Sequence, residues 1–224
     1  MPVEAIGRTL ARFGFFLHGG FRPEARDGVP ALPDGSPAAA VLLVGNAGPA
    51  MWQRFSGERP AGPAPLDSWT RMVLTGMAAE FGAAAVFPFQ RPFLPFQRWA
   101  MRAGPCHPSP IGLLIHPEYG LWHAWRGALL FSRDIALPAP ERLASPCLSC
   151  ADRPCLTTCP VTAFSPTGYD AAGCLAHLDN PAGADCRDLG CRARRACPVG
   201  SGWRFSHAQA RFHMAGFRQV VDGS

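Results

Sequence analysis

The first 143 residues alternate between hydrophobic patterns typical of helices and patterns typical of strands. Apolar side chains at helical spacing predict a helix near the start of the chain, at Val3, Ile6, Leu10 and Phe13. Residues 38–44 form a short continuous apolar run between turn residues, which predicts a buried strand. A second helix is predicted from Pro49 to about residue 55, because proline suits the first turn of a helix.

A longer helix is predicted to run to about residue 81, with Asp67 or Ser68 as its N-terminal cap. One face of this helix is expected to carry the apolar side chains of Trp69, Met72, Val73 and Met77. The elements predicted after it are a strand at 84–87, a helix at 95–103, and two strands at 111–115 and 121–131 around a turn at 117–120. This alternation favours an α/β or α+β sandwich.

The remainder of the chain is rich in turn residues, short helical stretches and cysteines. It begins after the Pro-Ala-Pro segment at 138–140, and its composition suits a small domain organised by metal. A helix is predicted at 206–217. We therefore predict a sandwich domain at 1–143, a cysteine-rich module at 144–203 and a C-terminal helical segment at 204–224.

Composition and charge narrow the functional classes. Hydrophobic residues make up 48% of the chain, but no apolar run approaches the roughly 20 residues of a membrane span. Charged residues at Glu4, Arg8 and Arg12 interrupt the apolar start, which is atypical of a signal peptide, so we expect a cytoplasmic protein. The formal charge is +5, carried by arginines without lysine or a basic run, so we expect no nucleic-acid partner and no membrane partner.

The densest group of arginines lies among the cysteines, at Arg187, Arg192, Arg194 and Arg195. We expect these side chains to offset the negative charge of metal-bound thiolates or to dock an acidic redox partner.

Eight of the nine cysteines fall between residues 147 and 197. A disulfide framework would spread its bridges across the fold, whereas such clustering indicates metal. Residues 147–160 read Cys-Leu-Ser-Cys-Ala-Asp-Arg-Pro-Cys-Leu-Thr-Thr-Cys-Pro, and a second Cys-Pro pair stands at 197–198. Closely spaced cysteines with a distant fourth one suit a cubane, and Cys-Pro endings are typical of two-cluster ferredoxins. We predict two 4Fe–4S clusters; the alternative is a pair of structural zinc ions.

The order of the cysteines resembles the ferredoxin module of epoxyqueuosine reductase and of corrinoid-dependent reductive dehalogenases. A run of four ends in Cys-Pro, a lone cysteine follows, and then come a pair and a second Cys-Pro. Carried over residue by residue, the resemblance implies one cluster on Cys147, Cys150, Cys155 and Cys197. It implies the other cluster on Cys159, Cys174, Cys186 and Cys191. The spacing of this chain is wider than that of standard bacterial ferredoxins at several positions.

Residues 116–127, His-Pro-Glu-Tyr-Gly-Leu-Trp-His-Ala-Trp-Arg-Gly, resemble a motif of the cobalamin-processing CblC family. Residues 42–55 look like the strand, turn and helix of that family, and residues 102–104 match the corrinoid-binding half of epoxyqueuosine reductase. The resemblance implies an α+β protein with a flavin-reductase/CblC-like α/β sandwich, followed by a small two-cluster ferredoxin-like domain. It also implies cobalamin as a cofactor, with candidate binding residues His116, Tyr119, Gly120, Trp122 and Trp125.

Each of these residues also has a simpler interpretation. An apolar platform for a corrin could come from Tyr119, Trp122, Trp125 and Phe131, but the same aromatics could be core residues. The resemblance places His116 where the CblC family has a functional histidine, whereas a histidine that begins a turn can simply bond to Glu118 or the backbone. We interpret Cys106, which stands apart from the other cysteines, as a plain thiol.

Departures from the two families limit the function that can be carried over. Epoxyqueuosine reductase has an acidic proton donor where residues 90–95 read Gln-Arg-Pro-Phe-Leu-Pro, so its reaction is not expected here. The arginines with which the CblC family holds glutathione have no match. Our leading hypothesis is an oxidoreductase that takes electrons from a donor protein and passes them through two clusters to a bound corrinoid. The alternative is a ferredoxin-type electron carrier without its own corrinoid.

Overall fold

The computed structural model describes residues 3–222 and divides them into two compact units. One unit runs up to Pro105 and includes His123–Leu143; the other contains Cys106–Trp122 and the chain from Ala144 onward. The segment Cys106–Trp122 therefore belongs with the cysteines and not with the predicted sandwich. Two short stretches lie outside the described residues: residues 1–2, which begin the first predicted domain, and residues 223–224, which end the last one.

The first unit contains four helices and four strands among its described residues. In chain order they are α1 Val3–Ala11, β1 Phe16–Phe21, β2 Ala40–Ala47, α2 Ala50–Glu58, α3 Pro65–Phe81, β3 Ala84–Val86, α4 Phe96–Ala103 and β6 His123–Phe131. The second unit contains β4 His107–Pro108, β5 Leu114–Ile115, α5 Pro154–Thr157, β7 Phe164–Ser165, β8 Gly168–Tyr169, α6 Ala171–Asp179, α7 Ala184–Leu189, α8 Arg192–Arg195 and α9 His207–Asp222.

An antiparallel sheet of order β1-β2-β6-β3 forms the centre of the first unit. Every residue of β2 is buried, which agrees with its continuous apolar run. The helices cover this sheet: α4 packs on β1 and β2, α2 on β2, and α3 on β3 and β6. The predicted mixture of helices and strands is thus present, although β1 was not predicted because the Gly-Gly pair at 19–20 interrupts its apolar pattern.

An aromatic cluster joins the helices of the first unit. The ring of Trp69 on α3 lies 5.3 Å from that of Phe15 and 5.7 Å from that of Phe55 on α2. Its indole N–H donates to Glu58 Oε2 at 3.0 Å, so this fully buried tryptophan leaves no polar atom without a partner.

The start of α3 differs from the prediction. The helix begins at Pro65, and the residue before it makes no side-chain cap, so neither Asp67 nor Ser68 caps the helix. Proline at the first position explains this start, because its fixed φ angle suits a helix and it has no N–H to satisfy. Met72 is 63% exposed, so the buried face of α3 carries Trp69 and Val73 without it.

The two strands predicted around residues 117–120 do not pair with each other. Strand β5 pairs with β4 in a small sheet of the second unit, whereas β6 pairs with β2 and β3 in the first. Only a single bridge, between His116 and Gly120, closes the turn. The apolar pattern located both strands but contained no information about their partners.

The second unit has a small hydrophobic core of its own. Buried side chains from the 106–122 segment meet side chains from the cysteine region, at Ile111, Ile115, Leu121, Ala193 and Cys197. Helix α9, close to the predicted 206–217, packs against α6 and α7. Among residues 3–222, no helix combines the length and the apolar character needed to cross a membrane.

Candidate functional site

Four cysteines from two distant parts of the chain line one pocket in the second unit. Cys147, Cys150 and Cys155 come from one short loop, and Cys197 comes from the far end of the cysteine region. Burial raises the pKa of the Cys155 thiol, and the charges of the other three thiols raise it further. A group of thiolates that repel one another in this way is stabilised when it binds cations.

Local backbone structure presents these thiols. Cys147 lies in a short 3₁₀ turn whose N-terminal residue, Ser145, accepts a hydrogen bond from the Cys147 N–H at 3.4 Å. Arg153 has a left-handed φ of 39°, which reverses the chain just before α5. Helix α5 then carries Cys155 back toward the pocket, and Thr158 Oγ1 closes its end by donating to Pro154 O at 2.6 Å.

A buried hydroxyl without a partner lines the same pocket. Ser109 Oγ is enclosed and has no hydrogen-bond partner among residues 3–222. Leaving a buried donor unsatisfied costs about 1–3 kcal/mol. A sulfide or thiolate sulfur in the pocket would accept from this hydroxyl, so the pocket fits an iron–sulfur cluster.

The other four cysteines of the region form a second group. Burial raises the pKa of the Cys174 thiol, and the charges of Cys159 and Cys186 raise it too. Burial also raises the pKa of Cys191, with added repulsion from Cys186 and Cys174. The structure thus brings together Cys159, Cys174, Cys186 and Cys191, the set that the resemblance assigns to one cluster.

The two groups exchange their Cys-Pro cysteines. Cys159 follows the first three cysteines of its loop but faces the second group. Cys197 ends the second half of the cysteine region but lines the pocket of the first group. Each group therefore contains cysteines from both halves of the region.

Backbone N–H groups point at several of these sulfurs. The N–H groups of Ala193 and Arg194 bond to the Cys191 sulfur and lower its pKa, against the effect of burial. The N–H of Val199 bonds to the sulfur of Cys197 with the same effect. Donors placed in this way favour the charged thiolate, which is the form that binds metal.

Within the described part of the chain, no three His, Cys, Asp or Glu side chains could hold a single metal ion. A zinc ion needs four ligands within bonding distance of one centre. The thiolates around a cubane bind different irons. A zinc site therefore needs four sulfurs that converge on one atom, whereas a cubane site needs sulfurs spread around a larger core.

The turn with the corrinoid candidates packs on the cysteine region. His116 Nδ1 accepts hydrogen bonds from the N–H groups of Glu118 at 3.1 Å and Tyr119 at 3.3 Å. The rings of His116 and Tyr119 stack with their centroids 4.2 Å apart. Gly120 has a φ of 57°, and a Cβ there would lie 2.0 Å from Val199 O. The turn therefore uses His116 and Gly120 for its own closure and packing.

Trp122 is a core residue of the second unit. It is 3% exposed, its ring lies 5.4 Å from that of Phe205, and the Arg194 guanidinium lies 4.7 Å from its centre. Its indole Nε1 is buried and finds no hydrogen-bond partner in the described residues. This N–H is a donor that a bound ligand could satisfy.

Two of the predicted platform residues lie in the other unit. The ring of Trp125 on β6 lies 5.7 Å from that of His18 and 4.9 Å from that of His123, and its buried Nε1 also has no partner among residues 3–222. Phe131 is 1% exposed at the end of β6, so it belongs to the core and cannot be part of an exposed platform. The prediction that Phe131 contributes to an apolar platform is therefore wrong.

The arginines among the cysteines have partners inside their own unit. Three of them donate to backbone carbonyls, at Asn180 for Arg187, Leu121 for Arg194 and Gly190 for Arg195. Arg192 and Arg195 also pair with Asp185. These contacts tie the short helices together, a role that the charge pattern did not indicate.

Cys106 remains apart from both groups. It is buried, and burial raises the pKa of its thiol to about 12. A thiol with this pKa is a poor nucleophile and a poor metal ligand at neutral pH.

No family model and no curated protein matches this sequence. Solved structures do match its fold. The B12-trafficking protein CblC of C. elegans is 16% identical, with a TM-score of 0.53 over 98% of this chain and 95% of that one. Epoxyqueuosine reductase from Streptococcus thermophilus is 16% identical, with a TM-score of 0.54 over 92% of this chain and 68% of that one.

A second epoxyqueuosine reductase, from Bacillus subtilis, is 16% identical, with a TM-score of 0.51 over 92% of this chain and 68% of its own. At such identity these likenesses show the fold alone. The prediction of a mixed helix and strand fold related to both kinds of protein is confirmed. The two-cluster ferredoxin module remains a prediction.

Proposed function

We propose that this chain is an iron–sulfur oxidoreductase that passes electrons through two 4Fe–4S clusters to a bound corrinoid, reducing its cobalt or removing its upper ligand. The observation that carries this proposal is the sorting of eight thiols into two groups of four, each containing cysteines distant in sequence. The clusters, when bound, supply one-electron transfer at low potential.

The residues around the thiols would hold the clusters and shield them from water. One cluster would be held by Cys147, Cys150, Cys155 and Cys197, and the other by Cys159, Cys174, Cys186 and Cys191. The apolar side chains of Ile111, Ile115 and Leu121 pack against the first group and lower the local dielectric. The N–H of Val199 and the hydroxyl of Ser109 would offset part of the added negative charge.

Support for the corrinoid comes from the fold and from two orphaned donors. The fold is shared with the B12-trafficking protein CblC. Trp122 and Trp125, each within its own unit, have a buried N–H without a partner among residues 3–222. The amide carbonyls at the edge of a corrin are acceptors for such donors. His116, Tyr119 and Gly120 complete the set of residues that we propose for corrinoid binding.

The proposal does not extend to epoxyqueuosine reduction. Residues 90–95 contain no acid, and the Gln90 side chain accepts from the Phe87 N–H at 2.8 Å, which closes the local turn. We propose an electron-donor protein as the partner, because clusters that pass electrons to a corrinoid must be reduced again after each transfer.

A ferredoxin-type electron carrier is the second candidate. It is favoured by the packing of the turn, because Gly120 contacts Val199 and Trp122 lies in the core. Packing alone therefore explains why these residues stand at positions 120 and 122, without a corrinoid. Such a carrier would show the same clusters but would bind no small molecule.

Anaerobic purification with iron and sulfide analysis tests the clusters. We expect about eight iron and eight sulfide per chain, and a colourless preparation without stoichiometric iron would overturn the proposal. Added cobalamin should then shift its absorption bands toward the base-off form. Trp125→Phe should weaken that shift and Trp52→Phe should not. An unchanged spectrum would leave the electron carrier as the function.

A further inference from the structure

A cavity of about 480 Å³ lies in the first unit, at the end of strand β1. Gly20 and Phe21, the last residues of β1, line it together with the segment 137–140. The loop after β1 and the end of α4 contribute the rest of the lining. All of these residues belong to the first unit, so the cavity is separate from the thiol groups.

Three arginines line the cavity and hold its walls together. Arg102 on α4 donates to Asp27 Oδ2 at 2.7 Å and to Arg22 O at 2.8 Å, which fixes the loop after β1. Arg22 Nε donates to Asp134 Oδ1 at 2.9 Å, just before the segment that forms the opposite wall. Arg142 Nη2 donates to Arg102 O at 3.5 Å. The cavity is therefore preformed.

Positive charge predominates in the lining. Within the described part of the chain, the lining contains three guanidiniums and one carboxylate, that of Glu24. Glu24 pairs with Arg26 and Arg102, so its charge is already offset. Arg142 forms no ion pair among residues 3–222, and its hydrogen bond there is the long contact with Arg102 O. Arg142 therefore has N–H donors available for a ligand.

The rest of the lining is largely apolar, at Phe21, Leu137 and the segment 138–140. A guanidinium binds a phosphate through two parallel N–H···O bonds, and two guanidiniums suit its double charge. The cavity is much larger than a phosphate ion, so it has space for an apolar group attached to one.

We propose that this cavity binds an organic phosphate. Arg142 and Arg22 bind the phosphate group, and the apolar lining contacts the organic part. This inference goes beyond the proposed function, because it requires neither a cluster nor a corrinoid.

Titration calorimetry of the full chain with phenyl phosphate at low ionic strength is the direct test. We expect saturable binding that added salt weakens. Arg142→Gln should weaken it about tenfold, because it removes charge-assisted donors, and Arg142→Lys should restore only part of the loss. Arg98→Gln is the matched control, since Arg98 is an exposed residue of α4 outside the lining.

Arg22→Gln is the second variant. The Nη1 group of Arg22 has no partner among residues 3–222, because its ion pair with Asp134 uses Nε and Nη2. This variant should therefore also weaken the binding of phenyl phosphate, which tests the site independently of Arg142.

The bound phosphate can belong to a free ester or to the nucleotide of a corrinoid. Competition of phenyl phosphate with cobalamin and with cobinamide, which has no nucleotide, distinguishes these sources. Displacement by cobalamin alone assigns the cavity to the nucleotide, and displacement by neither assigns it to a free ester. Either result supports a phosphate site.

Three results would overturn the inference. One is the absence of saturable binding to the wild-type protein. Another is an equal loss in Arg98→Gln, because non-specific attraction to a positively charged protein would then explain the binding. The third is equal affinity for inorganic phosphate and phenyl phosphate, which would exclude an organic ligand. None of these results affects the proposed clusters, which iron and sulfide analysis tests separately.

Discussion

The carbonyl oxygen of Val199 occupies the place where a side chain on Gly120 would begin. A Cβ on Gly120 would lie 2.0 Å from that oxygen, and a Cβ on Gly200 would lie 2.4 Å from Tyr119 O. The turn with the corrinoid candidates and the loop after Cys197 therefore touch backbone to backbone. The shape of the turn and the position of Cys197, two residues before Val199, therefore depend on the same contact.

Replacing this glycine tests that dependence. Gly120→Ala should destabilise the protein by well over 1 kcal/mol, because it adds a backbone clash to the strain of a left-handed φ. Gly112→Ala is the matched control, since Gly112 has a φ of 77° and open space around it. Thermal unfolding should show a clearly larger loss for Gly120→Ala; equal losses would mean that the contact contributes nothing.

The iron content should depend on the eight grouped cysteines and not on Cys106. Cys155→Ser should lower the iron content by at least half, from about eight to about four per chain or fewer, because it removes one of four ligands. Cys106→Ser should leave the iron content unchanged, since this thiol belongs to neither group. Iron and sulfide analysis of both variants would contradict the grouping if their contents fell equally.

Ser109 should have opposite effects with and without clusters. In the apoprotein, Ser109→Ala removes a buried hydroxyl without a partner and should raise the free energy of unfolding, by up to about 1–3 kcal/mol. In the loaded protein, the same change removes a donor to sulfur and should lower the potential of the first cluster. Denaturant unfolding of the apoprotein and redox titration of the loaded protein measure the two effects. A stabilised loaded protein with unchanged potential would contradict this role.

Arg194 should stabilise the second unit more than Arg192 does. Its guanidinium donates to Leu121 O at 2.9 Å and lies 4.7 Å from the centre of the Trp122 ring, so Arg194→Ala should cost about 2–3 kcal/mol. Arg192→Ala should cost less than about 1 kcal/mol, because its ion pair with Asp185 is largely exposed. The free energies of unfolding of the two variants give the comparison, and similar losses would contradict it.

The reactivity of Cys106 should show its raised pKa. A pKa of about 12 leaves about one thiolate in 10,000 at pH 8, against about one in ten for an ordinary thiol of pKa 9.0. Since the folded pKa exceeds the unfolded one, this acid stabilises the fold less as the pH rises above 9 and through 12. Peptide mapping after iodoacetamide treatment should find Cys106 unmodified in the native protein at pH 8; rapid labelling would contradict its burial.

Much of the first unit could be predicted from its apolar pattern. The strand at residues 38–44 was located by its continuous apolar run, and the helices ending near Phe81 and Ala103 were located as well. Strand β1 was missed because Gly19 and Gly20 break its pattern. Glycine is needed at position 19 because a Cβ there would lie 2.3 Å from Ala103 O, and this contact cannot be inferred from the sequence.

The candidate site was predictable only in part. Eight clustered cysteines indicate metal from their spacing, and a resemblance to known modules suggested how they divide. Ser109 was not predicted, because it lines the pocket from a distant part of the chain and no motif marks such a residue. The contact of Arg194 with Leu121 was not predicted for the same reason. The membership of Cys106–Trp122 in the second unit escaped for the same reason.

The exchange of Cys159 and Cys197 between the two groups constrains how the protein can mature. A ribosome releases the chain from its N-terminus, so the first three thiols emerge long before the fourth. Neither set of four is complete until most of the cysteine region has left the exit tunnel, and the first must wait for Cys197. Completion of the first proposed cluster therefore has to wait until Cys197 has emerged, and a chain cut short before that residue would carry only three of the four thiols.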